Sequence, residues 1–158
     1  MLLAYRLVRL IETHSDQLAK TLLRRVQQSE LTQAYGNVPA EELKQRVREI
    51  YLHLGEWLLT RSALDIDTRY AEIGARRARQ RIPLSQVIWA IILTKETLWG
   101  FVQDEAVLDR PLEIFGELAL LQSLERFFDR ATHAAAVGYE RASAECAREE
   151  AAMEPIRS

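Results

Sequence analysis

Apolar residues recur every three to four positions along almost the whole chain, and nowhere do they alternate one by one, so the pattern predicts helices and no strands. Leu3, Leu7, Leu10, Ile11, Leu18 and Leu22 form one stripe, which predicts a first helix from about Leu3 to Ser29. The stretch "YGNVPAEE" interrupts it; Pro39 then suits the first position of a new helix, and Glu41 and Glu42 suit its positive end. A second helix follows over Pro39 to Thr60, with Leu43, Val47, Ile50, Leu54, Trp57 and Leu58 on one face. After the connection "RSALDID", with Asp65 or Asp67 as N-cap, a third helix is expected over about Ile66 to Arg81, turning Ile66, Tyr70, Ile73 and Gly74 inward. Pro83 cannot continue that helix and disfavours helical geometry at Ile82, so a fourth helix begins at Leu84 or Ser85 and runs to about Asp104. "DRPLE" resets the chain, with Pro111 as an early helical residue, and a fifth helix runs toward Met153. Some 40 residues at about 1.5 Å each make a rod of about 60 Å, more than a domain of this size can cover. The expected fold is an all-α five-helix bundle with a long C-terminal helix.

Composition narrows the class without changing the picture. The 158 residues suit one domain, 48% hydrophobic and 28% charged, as in ordinary globular chains. A net charge of −2 gives no global attraction to nucleic acid or anionic lipid. The single cysteine, Cys146, precludes an internal disulfide. Arg6, Arg9 and Glu12 interrupt the N-terminus too early for the apolar core of a signal peptide, and no run reaches membrane-span length, so a cytoplasmic location is expected.

Candidate chemistry is thin. Arg76, Arg77, Arg79 and Arg81 spread around the third helix instead of forming the phosphate-facing stripe of a groove reader, which points to the wet end of a helix joint. Arg77 alone falls on the side of Ile73 and Tyr70. Lys95 lies near the centre of the apolar arc Leu84, Val87, Ile88, Ile91, Leu98, Trp99, Val102. A buried ammonium must be paired or must reach outward, and this is the plainer account of Lys95. The functional account is a cation at the mouth of an apolar pocket for an anionic or apolar ligand, with Lys95, Trp99, Trp57 and His53 as the candidate residues. His14 shares the apolar face of the first helix and His133 lies off the arc of the fifth; a haem- or hydrophobic-ligand carrier is the alternative these histidines keep open. No catalytic constellation, metal set or phosphate loop is present in the sequence, so neither a catalytic residue nor a cofactor is expected, and a nucleophilic Lys95 is only a third possibility. On the fifth helix, Ala131, Ala134, Ala135 and Gly138 permit close approach of another helix, and a homodimer through this helix is expected.

Two stretches carry a family likeness. "YAEIGARRARQRIPLSQVIWAIILTKETLWGFV" and "LLQSLERFFDRATHAAAVGYER" resemble the N-terminal sensor-type domain of the RsbT co-antagonist (RsbRD-type) family. The most specific residues are Gly74, Arg77, Ala78, Arg79, Gln80, Ile82, Pro83 and Leu84 at the joint, then Phe127, Phe128, Asp129 and Arg130, with Tyr139. Arg81 departs from the pattern, since a small helix-ending glycine is expected there. The resemblance implies a sensor-type domain over residues 1–140 and a helical extension or linker over 141–158. It also implies a globin-like variant of the bundle, and a bacterial stress-signalling role in which the last helix passes a ligand or partner signal to an output. These 158 residues leave no room for an output domain as well, so the output is expected on a longer natural chain or on a partner protein.

Overall fold

The architecture is taken from a computed structural model, which describes residues 2–60, 63–104 and 113–154, and the side chains of 5–59, 65–104 and 121–154. The described elements are α1 (Leu2–Gln28), a 3-10 helix (Glu30–Asn37), α2 (Ala40–Thr60), α3 (Ala63–Arg79), α4 (Leu84–Asp104) and α5 (Glu113–Met153), with no strand among the described residues. The all-α fold therefore stands, with one element beyond the five expected. The 3-10 helix follows Ser29, whose hydroxyl accepts from the Leu31 amide at 3.2 Å and caps the new turn. Buried Thr32 and Tyr35 anchor it, and the Gln86 side chain on α4 accepts from the Ala34 amide at 2.8 Å.

One boundary needs correction. α3 begins at Ala63, three residues before the expected Ile66, so neither Asp65 nor Asp67 is its N-cap. Asp65 lies in the first turn, where the positive helix end favours a carboxylate, and Asp67 forms a two-pronged pair with Arg130 of α5 at 2.8 and 2.9 Å. Arg61, Ser62 and Pro111 lie outside the described residues.

The helices sort into two layers. α1 packs on α2, and α3 packs on α5 more extensively than any other pair. α4 links them by touching α1, the 3-10 helix, α3 and α5. Tyr51, fully buried on α2, donates its hydroxyl to the Thr94 carbonyl of α4 at 3.0 Å. Arg25 of α1 bonds Thr97 and Glu96 of α4 at 3.0 and 2.8 Å. Among the described residues α2 packs most extensively on α1. The gap between α2 and α3 is bridged by side chains, and the cavities described below lie there.

Candidate functional site

The α3–α4 joint is built from its hydrogen bonds outward. The Ile82 amide donates to the Arg77 carbonyl at 3.1 Å and the Arg81 amide to the Ala78 carbonyl at 3.0 Å, the paired bonds of a Schellman ending. That ending needs a left-handed residue, and Arg81 occupies it with φ 59°. This is the position at which the sequence departs from the expected glycine. Pro83 follows, and the Tyr139 hydroxyl of α5 donates to the Ile82 carbonyl at 2.6 Å, tying the joint to the last helix. Arg81 also pairs with Glu150, one turn from the end of α5.

Just before the joint, α3 crosses α5 with the backbones in contact. A Cβ added to Gly74 would sit 1.9 Å from the Ala135 carbonyl oxygen, and one added to Gly138 would sit 1.9 Å from the Ala71 carbonyl oxygen. Ala131, Ala134, Ala135 and Gly138 are all buried in this crossing. The close helix contact expected of them is made with α3 of the same chain, which leaves a second copy only the other faces of α5. α5 remains helical to Met153; Ala142 is its last buried residue, and beyond it the helix is exposed apart from half-buried Cys146.

The opposite side of α3 faces an apolar cavity of about 60 Å³ at the meeting of α1, the 3-10 helix, α2, α3 and α4. Leu22, Val26, Val47, Ile73, Val87 and Ile91 supply much of its wall, with Arg46 and Arg77 as its two cations. Arg77 is 4% exposed. Its Nη1 donates to Gln80 Oε1 at 2.6 Å, its guanidinium lies 5.4 Å from the centre of the Tyr35 ring, and the Glu42 carboxylate stands 3.8 Å away. Burial lowers its pKa, although a guanidinium stays cationic at neutral pH. Burial also raises the Tyr35 phenol to about 12, so Tyr35 is neutral beside it.

A second, polar cavity of about 110 Å³ adjoins the first, with Arg46, Ile50 and Ile73 common to both walls. Buried His53 and Tyr70 also line it, together with Arg69 and Arg76. His53 Nε2 lies 3.5 Å from Asp65, while its Nδ1 and the Tyr70 hydroxyl have no hydrogen-bond partner. Burial, reinforced by the Arg69 cation, holds His53 below the ordinary imidazole value, and burial pushes the Tyr70 phenol up.

The sequence-derived pocket residues divide. His53 and Trp57 meet around Phe127 of α5, with ring centres 6.2 and 5.2 Å from it. Lys95, half-buried, pairs with Glu125 of α5 at 3.3 Å, and Trp99 is half-buried against the core. The two cavities share only His53 with that set. His14 kinks α1, its φ of −113° breaking the helix while Nδ1 donates to the Leu10 carbonyl at 3.0 Å. His133 opens onto a broad surface groove of about 710 Å³ with Arg126, Arg130 and Arg141. Among the described residues no three His, Cys, Asp or Glu side chains cluster as metal ligands, and no helix is long and apolar enough to cross a membrane.

Sequence reasoning missed Tyr51 and the Arg77 cavity, although the placement of Arg77 on the Ile73 face was a signal for the latter; it named His53 as a pocket residue and turned Tyr70 inward without foreseeing that the two meet at one cavity. The residues that carried the family likeness do converge: Gly74 on Ala135, Arg77 on Gln80, Ile82 on Tyr139, and Phe127 at the aromatic centre. No curated protein and no solved structure matches the chain. Residues 15–153 match the family described as RsbT co-antagonist protein rsbRD N-terminal domain, so the chain belongs to that regulatory signalling family.

Proposed function

We propose that this protein is a non-catalytic sensor module in which a ligand or partner shifts the packing of the α1–α2 layer against the α3–α5 layer, and α5 hands that shift to an output. The observation that carries the reading is the α3–α5 crossing. With backbone against backbone at Gly74 and Gly138, the two helices move as one body, and Tyr139 binds the α3–α4 joint to that body. A change at the cavity side of α3 is therefore delivered to the exposed end of α5. A small apolar or anionic molecule is the ligand class considered, with Lys95, Trp99, Trp57 and His53 kept as a second candidate contact set. Such a device works by population shift, and only a ligand that prefers one packing moves it.

Hydrogen exchange on Tyr139→Phe tests the relay. The variant removes one bond at the joint, and faster exchange is expected both at residues 78–84 and in the last turns of α5. Acceleration confined to the joint would refute the relay. The proposed homodimer uses the faces of α5 that α3 leaves open, and sedimentation showing a monomer up to high micromolar concentration would exclude it.

A further inference from the structure

We propose that the apolar cavity beside Arg77 is a binding site for a short-chain aliphatic carboxylate, with the carboxylate on Arg77 and the hydrocarbon among Val26, Val47, Ile73, Val87 and Ile91. Three observations lead there. Arg77 is a buried cation held by its carboxylate at ion-pair distance only: Glu42 stands at 3.8 Å, beyond hydrogen-bond reach, is itself a third exposed, and accepts from Gln80 Nε2 at 3.1 Å. A guanidinium has five N–H donors in a fork that fits a carboxylate, and a buried charge is costly until it is paired. Of Arg77's donors, Nη1 is used on Gln80, and the Tyr35 hydroxyl also takes a side-chain hydrogen bond from the guanidinium. Next to this charge lies space walled mostly by Leu, Val and Ile, with Tyr35, Arg46, Ala90 and Thr94 completing the lining. By size, 60 Å³ holds about four to six non-hydrogen atoms if each takes the roughly 10–15 Å³ a water needs on this measure. That matches propionate or butyrate, and longer or branched acids would have to part Ile50 and Ile73 to enter the adjoining chamber.

The site also sits where a signal can start. The carbonyl of Arg77 accepts the Ile82 amide that closes the joint, so a ligand that recruits the Arg77 side chain acts on the last turn of α3. The inference deepens the sensor reading and rests on it for that consequence alone; binding stands on the cavity.

The test is titration of the intact protein with propionate, butyrate and isovalerate, followed by calorimetry and ligand-observed NMR. Butanol and butylamine supply the tail without the anion, and inorganic phosphate the anion without the tail. Butyrate is expected to bind at least about tenfold more tightly than butanol, as the loss of one charge-assisted bond implies. Ala90→Leu, which fills the cavity and leaves Arg77 in place, is expected to abolish binding, and Arg77→Met to reduce butyrate to the level of butanol. Equal affinity for butyrate and butanol in the wild type, or butyrate binding that survives Ala90→Leu, would overturn the site even if Arg77→Met fails to fold. Hydrogen exchange with butyrate bound separates the two proposals. Binding that leaves α5 unchanged keeps the site and removes the relay, whereas no binding removes the site and leaves the Tyr139→Phe test of the relay intact.

Discussion

The two sides of α3 are packed by opposite rules. Toward α5, Gly74 has no room for a single methyl group, because the Ala135 backbone already occupies the place of its Cβ. Toward α2, one residue away in sequence, Ile73 borders two cavities, and one helical turn beyond it Arg77 lies buried with its carboxylate, Glu42, at ion-pair distance only. Interiors are normally close-packed throughout, so space and unmet polar demand on one side of a helix, against backbone contact on the other, mark a rigid body beside a deformable seam. Small residues make the rigid side because they let dipoles and backbones meet. Branched residues bridging a wide gap make the soft side.

The sharpest way to break this contrast is to enlarge the glycines. Gly74→Leu or Gly138→Leu must push α3 off α5 and is expected to cost more than about 3 kcal/mol, enough to unfold the domain, as read by thermal or urea denaturation. Gly55→Ala is the control: its new Cβ would stand 3.6 Å from Val8 Cγ1, an ordinary contact, so the variant is expected to be neutral or to gain up to about 1 kcal/mol from helix propensity. On the cavity side, Ile73→Val should cost only about 0.5–1 kcal/mol, at the low end for a core position, because the wall there is already incomplete. A large loss there would refute the soft seam.

Acid sharpens the same comparison through His53. Its folded-state pKa lies below the unfolded value of about 6.5, so the unfolded chain binds the extra proton first. The stability His53 confers is thus complete above the unfolded pKa and lost as pH falls through it toward the folded one. The melting temperature should drop on acidification across that window, and His53→Gln should flatten the dependence. The smallest effect is expected at the joint. Arg81→Gly relieves a left-handed strain of about 1 kcal/mol and gives up only a solvent-exposed pair with Glu150, so the net change should stay within about 1 kcal/mol of the wild type.

Much of the fold was legible because a buried stripe writes itself into sequence at helical spacing. The stripes Leu7–Ile11–Leu18–Leu22 and Leu43–Val47–Leu54–Trp57–Leu58 are buried as their spacing implies. The 3-10 helix left no such trace, since Thr32 and Tyr35 are its only fully buried residues and a tight helix of eight residues has no stripe to show. The start of α3 was misjudged because Asp65 resembles a cap, although a carboxylate is equally favoured one turn inside. For the site, periodicity reports which residues share a face and is silent on what covers that face. Hence Ala135 and Gly138 were recognisable as a close contact, but their partner, Ala71 and Gly74 of the same chain, depended on topology. Lys95 shows the same limit: its place in an apolar arc was evident, whereas its carboxylate, Glu125, came from another helix thirty positions away.

The distance from Gly138 to Met153 has a mechanical consequence. Fifteen residues of helix at about 1.5 Å each extend the α3–α5 body roughly 22 Å past the crossing, so a tilt of that body by only about 5° swings its tip by about 2 Å. Sub-ångström adjustment among branched side chains in the interior would thus be magnified into a displacement that a docking protein can read.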